Sequence, residues 1–347
     1  MRRRTPGILV ALTLSVLVLP TTSALADDTA VQTDAARQPA TVSVPIRTID
    51  TPERTGLDGI ITIQVGQAAP ISVIADTGSV GLFLFEKPTS AHSTGIHATA
   101  HLQGHSLPGV LFTSPVTIGG VTTTNPVAMQ YINSTSSYVH KWKSRGVTGV
   151  LGIGVTDGGR MTNILKSMPG SLGLHWSVHL ARQSTPESSR QGSLVLGAEP
   201  PAHVTMSFPL PYFGVDVNGA RNWNDHAAPG CWTFTSVREQ CVPTWFDSGG
   251  TIMRLVGRNF RNVPRADSST SSSHLVKPGT RVRFAESSSA FYGQDFTAGR
   301  DGSRNLVRVM LGAGSPAVNT GNAPFFDFTI TYDQVVGTIS LSSPKGN

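Results

Sequence analysis

Two short motifs each place an aspartate in a turn directly after an apolar segment. Residues 76–79 are Asp-Thr-Gly-Ser, and residues 247–250 are Asp-Ser-Gly-Gly. Two carboxyl groups that lie close together do not both ionise readily, so one keeps a proton while the other acts as a base. Such a pair can activate water for the hydrolysis of an amide bond. The leading hypothesis from these residues is therefore an aspartic endopeptidase.

The segments around both motifs predict strands. Apolar clusters at 60–65, 71–75 and 82–85 surround the first motif, and the cluster at 242–246 precedes the second. Strand, glycine turn and strand place each aspartate at the tip of a loop. With 36 Gly and 23 Pro in 347 residues, the chain is predicted to be all-β. One clear helix is expected, at 161–168.

The chain is predicted to comprise a signal peptide and two lobes. Arginines at the start, an apolar stretch at 8–19 and Ala-Leu-Ala at 24–26 are typical of a secretory signal peptide. The predicted divisions are a signal peptide at 1–26, a loose leader at 27–40, and lobes at 41–203 and 204–347. A weak repeat supports two lobes, because each Asp motif is followed at a similar distance by an apolar segment with glycine. Because of the signal peptide, we expect a secreted protein.

Charge and cysteine content narrow the expected partners. The formal net charge is +6, but the basic residues are scattered and three lie in the signal peptide, so nucleic-acid binding is not expected. The apolar stretch in the signal peptide is too short to span a bilayer, and nothing later approaches a membrane span.

Cys231 and Cys241 are the only cysteines, and in a secreted chain they predict one disulfide. A monomer is expected.

The order of the motifs resembles the pepsin-like aspartic protease family over nearly the whole predicted mature chain. The residues at 247–250 and 319–325 are most similar to bacterial members, including the aspartic protease domains of mycobacterial PE proteins. The segments that carry the resemblance are 76–79, 116–120, 149–154, 192–197, 246–249 and 321–333.

This resemblance implies a fold and a set of functional residues. The fold would be all-β and bilobal, with the active-site cleft between two β-rich lobes, and the catalytic pair would be Asp76 and Asp247. The substrate would be a polypeptide, and neither a cofactor nor a metal would be needed. The residues implied to support the pair are Thr77, Gly78, Ser79, Ser248 and Gly249. Among these, Thr77 and Ser248 would join the two loops through hydroxyl-to-backbone hydrogen bonds.

Three positions depart from the family pattern. Leu102 stands where the flap usually has a tyrosine, and Phe83 stands where its tryptophan partner is expected. Gly250 replaces the hydroxyl residue that usually follows the second aspartate three positions later. Losing that hydroxyl would remove a hydrogen bond to the charged carboxylate, so we expect an activity optimum that is less acidic than is usual in the family.

Three alternatives accompany the leading hypothesis. A pepsin-like fold without catalysis would be a binding or inhibitor protein. A trypsin-like serine protease would use His101 and Ser248. Finally, His97, His101 and His105 are four residues apart, so on a helix they would share one face and could hold zinc. The sequence context favours strand and turn there instead.

Overall fold

The structure is a computed structural model that describes residues 40–52, 56–182, 191–235, 237–267, 271–286, 293–299, 305–312 and 314–343. The predicted signal peptide and nearly all of the predicted leader lie outside the described residues. Among the described residues, no helix is both long enough and apolar enough to cross a membrane.

The regular structure of the described residues is mostly β-strand, with one short α-helix. The elements of its first half are β1 (Val42–Asp50), β2 (Leu57–Val65), β3 (Ile71–Asp76), β4 (Val80–Leu84), β5 (His92–Leu102), β6 (His105–Ser114), β7 (Val116–Ile118), β8 (Val121–Thr122), β9 (Val127–Ile132), α1 (Ser137–Lys143), β10 (Gly149–Ile153), β11 (His175–His179) and β12 (Gly192–Leu196).

The second half contains strands of similar length. These are β13 (Met206–Pro209), β14 (Tyr212–Val215), β15 (Arg221–Trp223), β16 (Ala228–Phe234), β17 (Val237–Trp245), β18 (Met253–Val256), β19 (Ser273–Leu275), β20 (Arg281–Ala285), β21 (Gln294–Thr297), β22 (Val307–Met310), β23 (Ala317–Asn319), β24 (Thr329–Asp333) and β25 (Thr338–Ser342). Short 3-10 turns lie at Ile164–Ser167, Gly170–Gly173, Asp225–Ala227, Arg258–Phe260 and Ala323–Phe326.

The fold is all-β and bilobal, as predicted. Within the described residues, one sheet of fifteen strands contains every strand from β1 to β12 together with β13, β24 and β25. A separate sheet of eight strands, β16 to β23, is built from the second half alone. The halves share one sheet because β24 pairs antiparallel with β11, which places Tyr332 beside Trp176 with the rings stacked at 6.0 Å.

Each half contains the same unusual strand arrangement. In the first half β10 lies between β3 and β4, parallel to β3 and antiparallel to β4. In the second half β23 lies between β17 and β18, parallel to β17 and antiparallel to β18. A strand that comes late in the chain thus separates the two strands flanking each Asp motif, and the weak sequence repeat corresponds to this shared topology.

Buried apolar side chains pack around the strands that lead into the two Asp motifs. In the second half Phe208, Phe246 and Phe284 form an aromatic cluster with ring centroids 5.5 to 5.9 Å apart. Phe246 is buried and directly precedes Asp247, so the cluster anchors the start of the second motif. In the first half the buried Ala75 has the same position before Asp76.

The expected helix was wrong in both place and type. Residues 161–168 contain only the 3-10 turn Ile164–Ser167, whereas the α-helix is α1. Ser136 caps α1 by accepting a hydrogen bond from the backbone N–H of Val139. The helix buries Tyr138, Val139 and Trp142, and this packing stabilises a segment too short to be helical by itself.

The predicted disulfide is present. Cys231 on β16 and Cys241 on β17 are directly opposite each other in the hairpin and are bonded, with Cα atoms 3.9 Å apart. Strand β17 leads straight into the second Asp motif, so the bridge fixes the hairpin that carries this motif.

Removing the disulfide should lower stability without changing the fold. The bridge closes a loop between cysteines ten positions apart, and we expect Cys231→Ala with Cys241→Ala to lower the free energy of unfolding by about 2–3 kcal/mol. Urea unfolding of both chains measures the difference. Reducing the wild-type chain should reproduce most of this loss, and an unchanged urea midpoint would contradict the expectation.

Candidate active site

The two Asp motifs form similar turns at the ends of β3 and β17. In each turn the aspartate accepts a hydrogen bond from the backbone N–H two residues later. The distances are 2.8 Å from Gly78 N to Asp76 Oδ1 and 3.1 Å from Gly249 N to Asp247 Oδ1. These bonds are typical of aspartate in a tight turn, and here they point both carboxyl groups into the same space.

The two carboxyl groups meet between the loops. Asp76 and Asp247 line the same cavity and are close enough for the charge of Asp247 to raise the pKa of Asp76. Each also packs against a glycine of the opposite loop: a Cβ on Gly78 would collide with the Asp247 carboxylate, and a Cβ on Gly249 would collide with that of Asp76. The glycines are therefore needed for close approach, in addition to any freedom that they give the turn.

Thr77 and Ser248 join the two loops through four buried hydrogen bonds. The Thr77 hydroxyl donates to Phe246 O at 2.7 Å and accepts from Ser248 N at 2.9 Å. The Ser248 hydroxyl donates to Ala75 O at 2.8 Å and accepts from Thr77 N at 2.9 Å. Because both side chains are buried, water cannot easily replace these bonds, so the relative position of the loops is closely defined.

Close approach of two carboxyl groups changes their ionisation. Desolvation and the negative charge of Asp247 raise the pKa of Asp76 to about 7, although hydrogen bonds from Ser79 and Gly78 oppose the change. Below this pH the pair holds a proton, as expected for adjacent carboxyl groups. Beneath the pair, burial raises the pKa of Tyr332 well above its usual value, so its hydroxyl stays neutral.

Each carboxylate receives one further hydrogen bond, but from unlike residues. Ser79 Oγ donates to Asp76 Oδ2 at 2.6 Å, within the first motif. Asn319 Nδ2 on β23 donates to Asp247 Oδ2 at 2.6 Å, from outside the second motif. The expectation that Gly250 leaves Asp247 short of a donor was therefore wrong, and the argument for a less acidic optimum loses its basis.

Comparison with known families agrees with this arrangement. A family model described as the PE-PGRS C-terminal aspartyl peptidase-like domain matches residues 42–339. The chain belongs to this family. The predicted resemblance to the aspartic protease domains of mycobacterial PE proteins is thereby confirmed. A search of curated proteins found no match. In this member of the PE-PGRS aspartyl peptidase-like family, both Asp motifs lie inside the matched region.

A hairpin covers the carboxyl pair from the side of the first half. Strands β5 and β6 are joined by Gln103 and Gly104, whose φ angles of 47° and 84° are both in the left-handed region, as a tight two-residue turn requires. Gln103 Nε2 donates to Gly249 O at 3.1 Å, so the hairpin tip reaches the second Asp loop. The sequence analysis missed Gln103, although Gln-Gly between the two strands was a usable turn signal.

The candidate flap residues have different surroundings. Leu102 is buried and lines a cavity of about 80 Å³ that also contains both aspartates. Phe83 packs in the same apolar cluster as Leu102 but is not among the residues lining that cavity. The cavity has room for water beside the carboxyl groups.

The cavity is also lined by Arg254 on β18, which the sequence analysis did not identify, and by His101 on β5, which it considered only for other kinds of site. A second cavity of about 290 Å³ adjoins it, and Gln103, Tyr138 and Arg254 line both. Together these spaces form a cleft that passes the carboxyl pair. Arg254 follows Asp247 by the same number of residues as Phe83 follows Asp76, so the repeat could have pointed to it.

The geometry argues against the serine protease and zinc alternatives. Ser248 is fully buried, and its hydroxyl is committed to Ala75 and Thr77, so it cannot serve as a nucleophile. His101 Nδ1 instead contacts Ser106 Oγ at 3.2 Å. His97 and His101 lie on β5 and His105 lies on β6, so the helical face required by the zinc hypothesis does not exist.

Breaking the Thr77–Ser248 connection should destabilise the folded chain. Thr77→Val leaves Ser248 N buried without its partner and removes the shorter of the two hydrogen bonds to Phe246 O, so we expect a loss of about 2–3 kcal/mol. Urea unfolding measures the loss, and Thr77→Ser, which keeps the hydroxyl, should lose much less. In a double-mutant cycle with Ser248→Ala the losses should not add. Fully additive losses would show that the two hydroxyls do not act together.

The raised pKa of Asp76 predicts a pH dependence of folding stability, which can be measured without an enzymatic assay. In the folded chain Asp76 keeps its proton up to about pH 7, whereas an unfolded aspartate loses it near pH 4. The stability from this protonation is complete below about pH 4 and is lost as pH rises to about 7. Asp76→Asn should therefore gain stability relative to wild type between pH 4 and 7, measured by thermal unfolding. A difference independent of pH would contradict the raised pKa.

Proposed function

We propose that the chain is a secreted aspartic endopeptidase. The observation that carries this proposal is that two Asp loops, joined by the Thr77 and Ser248 hydrogen bonds, bring the carboxyl groups of Asp76 and Asp247 into one cavity. The raised pKa of Asp76 agrees with a pair that shares a proton. Membership of an aspartyl peptidase-like family supports a hydrolase of this class. The lobes are proposed at 41–203 and 204–347, and the predicted signal peptide supports export. We propose that the enzyme works as a monomer on polypeptides.

In the proposed reaction the two aspartates have different tasks. Asp247 is the base and accepts a proton from a water molecule as the water oxygen attacks the peptide carbonyl carbon. Asp76 donates its proton to the carbonyl oxygen, so the intermediate carries two hydroxyl groups and no charge. Asp247 then passes its proton to the amide nitrogen as the C–N bond breaks, and Asp76 recovers a proton from one hydroxyl. The pair ends as it began, with one shared proton.

The surrounding residues support this division of tasks. Asn319 Nδ2 donates a hydrogen bond to Asp247 Oδ2 and fixes the orientation of that carboxyl group. The hairpin tip at Gln103 lies over the loops, where it can limit access of bulk water. A binding or inhibitor protein on this fold is the alternative, and the survival of both carboxyl groups with their donors favours the enzyme.

Peptide digestion by matched variants tests the proposal. Asp76→Asn and Asp247→Asn should each lower kcat by at least about 100-fold, since each removes one proton-transferring group. A peptide library digested between pH 2 and 8 supplies the rates, and wild-type activity should fall as pH rises through about 7. Asp295→Asn is the control, because Asp295 is paired with Arg281 on the surface. If the two site variants cleave as fast as wild type, the chain is not an aspartic protease.

A further inference from the structure

We propose that Asn319 is the positioning residue for the Asp247 carboxylate, and that its amide takes the place of the hydroxyl residue absent at Gly250. The inference rests on the proposed function, because it concerns the base of that reaction. It goes further by assigning a task to a residue outside both Asp motifs.

The first argument is that the Asn319 amide has a defined orientation. Its Oδ1 accepts a hydrogen bond from Gly321 N at 2.8 Å, and a backbone N–H can bond only to the oxygen end of the amide. The Nδ2 end therefore faces Asp247 Oδ2 at 2.6 Å. Asn319 is buried, so the amide cannot exchange this carboxylate for water without cost.

The second argument comes from the matching position in the first half. Val150 pairs with Ile74, two residues before Asp76, and Asn319 pairs with Trp245, two residues before Asp247. Val150 is also buried and lines the cavity, but its side chain has no donor. In the first half the donor is Ser79 in the Asp motif, and the strand beside it carries the apolar Val150. In the second half the motif has Gly250, and the strand beside it supplies the donor Asn319.

The third argument is that the two ways of donating exclude each other. A Cβ on Gly250 would lie 2.7 Å from Asp247 Oδ2, the oxygen that Asn319 already contacts. Contacts this short do not persist without movement, so a side chain at position 250 would displace the Asp247 carboxylate from its position against Asn319. Glycine at 250 and asparagine at 319 therefore form one compatible combination, and serine at 250 with valine at 319 would form the other.

Four ionisable groups face Asp247 from other elements. They are Asp76 on β3, Tyr332 on β24, Arg254 on β18 and His101 on β5. All four are present in every variant below, so a change that follows only the substitutions at 250 and 319 reports on the Asn319 bond.

The test is the pH dependence of kcat/KM between pH 2 and 8. Asn319→Val should move the acidic limb upward by about one to two pH units, the value of one hydrogen bond to a charged group. Gly250→Ser alone should impair activity, because Asn319 still occupies the carboxylate oxygen. Gly250→Ser with Asn319→Val should return the acidic limb toward wild type. An unmoved limb in the Asn319→Val chain overturns the proposal, as does a double variant no closer to wild type than this single variant.

A matched control separates positioning from general damage. Asn163 is another buried asparagine, and its three hydrogen-bond partners are all backbone groups of Ile153, Gly154 and Leu165. Asn163→Val makes the same chemical change and should lower stability while leaving the acidic limb in place. A limb that moves equally in this control would overturn the assignment. Asn319→Ala carries the same expectation as Asn319→Val if the valine prevents folding.

A second measurement keeps the inference independent of the proposed function. An amide N–H bonds more strongly to a carboxylate than to a protonated carboxyl group, so the contribution of the Asn319 bond to stability should decrease as pH falls. The stability difference between wild type and Asn319→Val should therefore shrink toward pH 2, measured by urea unfolding. If the wild-type chain cleaves nothing but this difference shrinks, the proposed function fails and the Asn319 assignment stands. A difference constant with pH overturns the assignment.

Discussion

The hydrogen bonds between Thr77 and Ser248 are the constraint on which the rest of the site depends. Each hydroxyl bonds to backbone groups of the opposite loop, and both are buried. A shift of one loop against the other would break several bonds at once and leave polar groups without water. The sheet shared by both halves also stabilises the second Asp loop. Tyr332 stacks on Trp176, and its hydroxyl donates a hydrogen bond to Phe246 O, directly before Asp247.

This fixed distance has a direct electrostatic consequence. The loops hold the two carboxyl groups so close together that two negative charges would repel each other. Glycine at 78 and 249 makes this approach possible, because a side chain at either position would collide with the carboxyl group of the opposite loop. Burial of the Asp76 carboxyl, and after it the negative charge of Asp247, favour the protonated form of Asp76 and raise its pKa. The reactivity proposed for the pair therefore follows from the mechanical connection between the loops, because a looser connection would allow both groups to ionise separately.

The features that could be predicted from the sequence are those determined by residues close together along the chain. The strand–turn–strand pattern around each motif, the single disulfide and the all-β fold were predictable, because each depends on local composition. Sequence reasoning failed where a residue acts through tertiary contact. Helix α1 has only seven residues and forms by packing Tyr138 and Trp142, and Gln103 acts through a bond to Gly249 far along the chain. Asn319 could be valued only once β23 was known to lie between β17 and β18.

The two halves reach similar surroundings for their aspartates by different residues. Each carboxylate accepts one backbone N–H and one side-chain donor, although the donor is a hydroxyl for Asp76 and an amide for Asp247. Each desolvated carboxylate needs a side-chain donor, and that donor comes from the turn for Asp76 and from the neighbouring strand for Asp247. A missing hydroxyl in an Asp motif is therefore weak evidence against function until the strand beside it has been examined, since that strand can supply what the motif lacks.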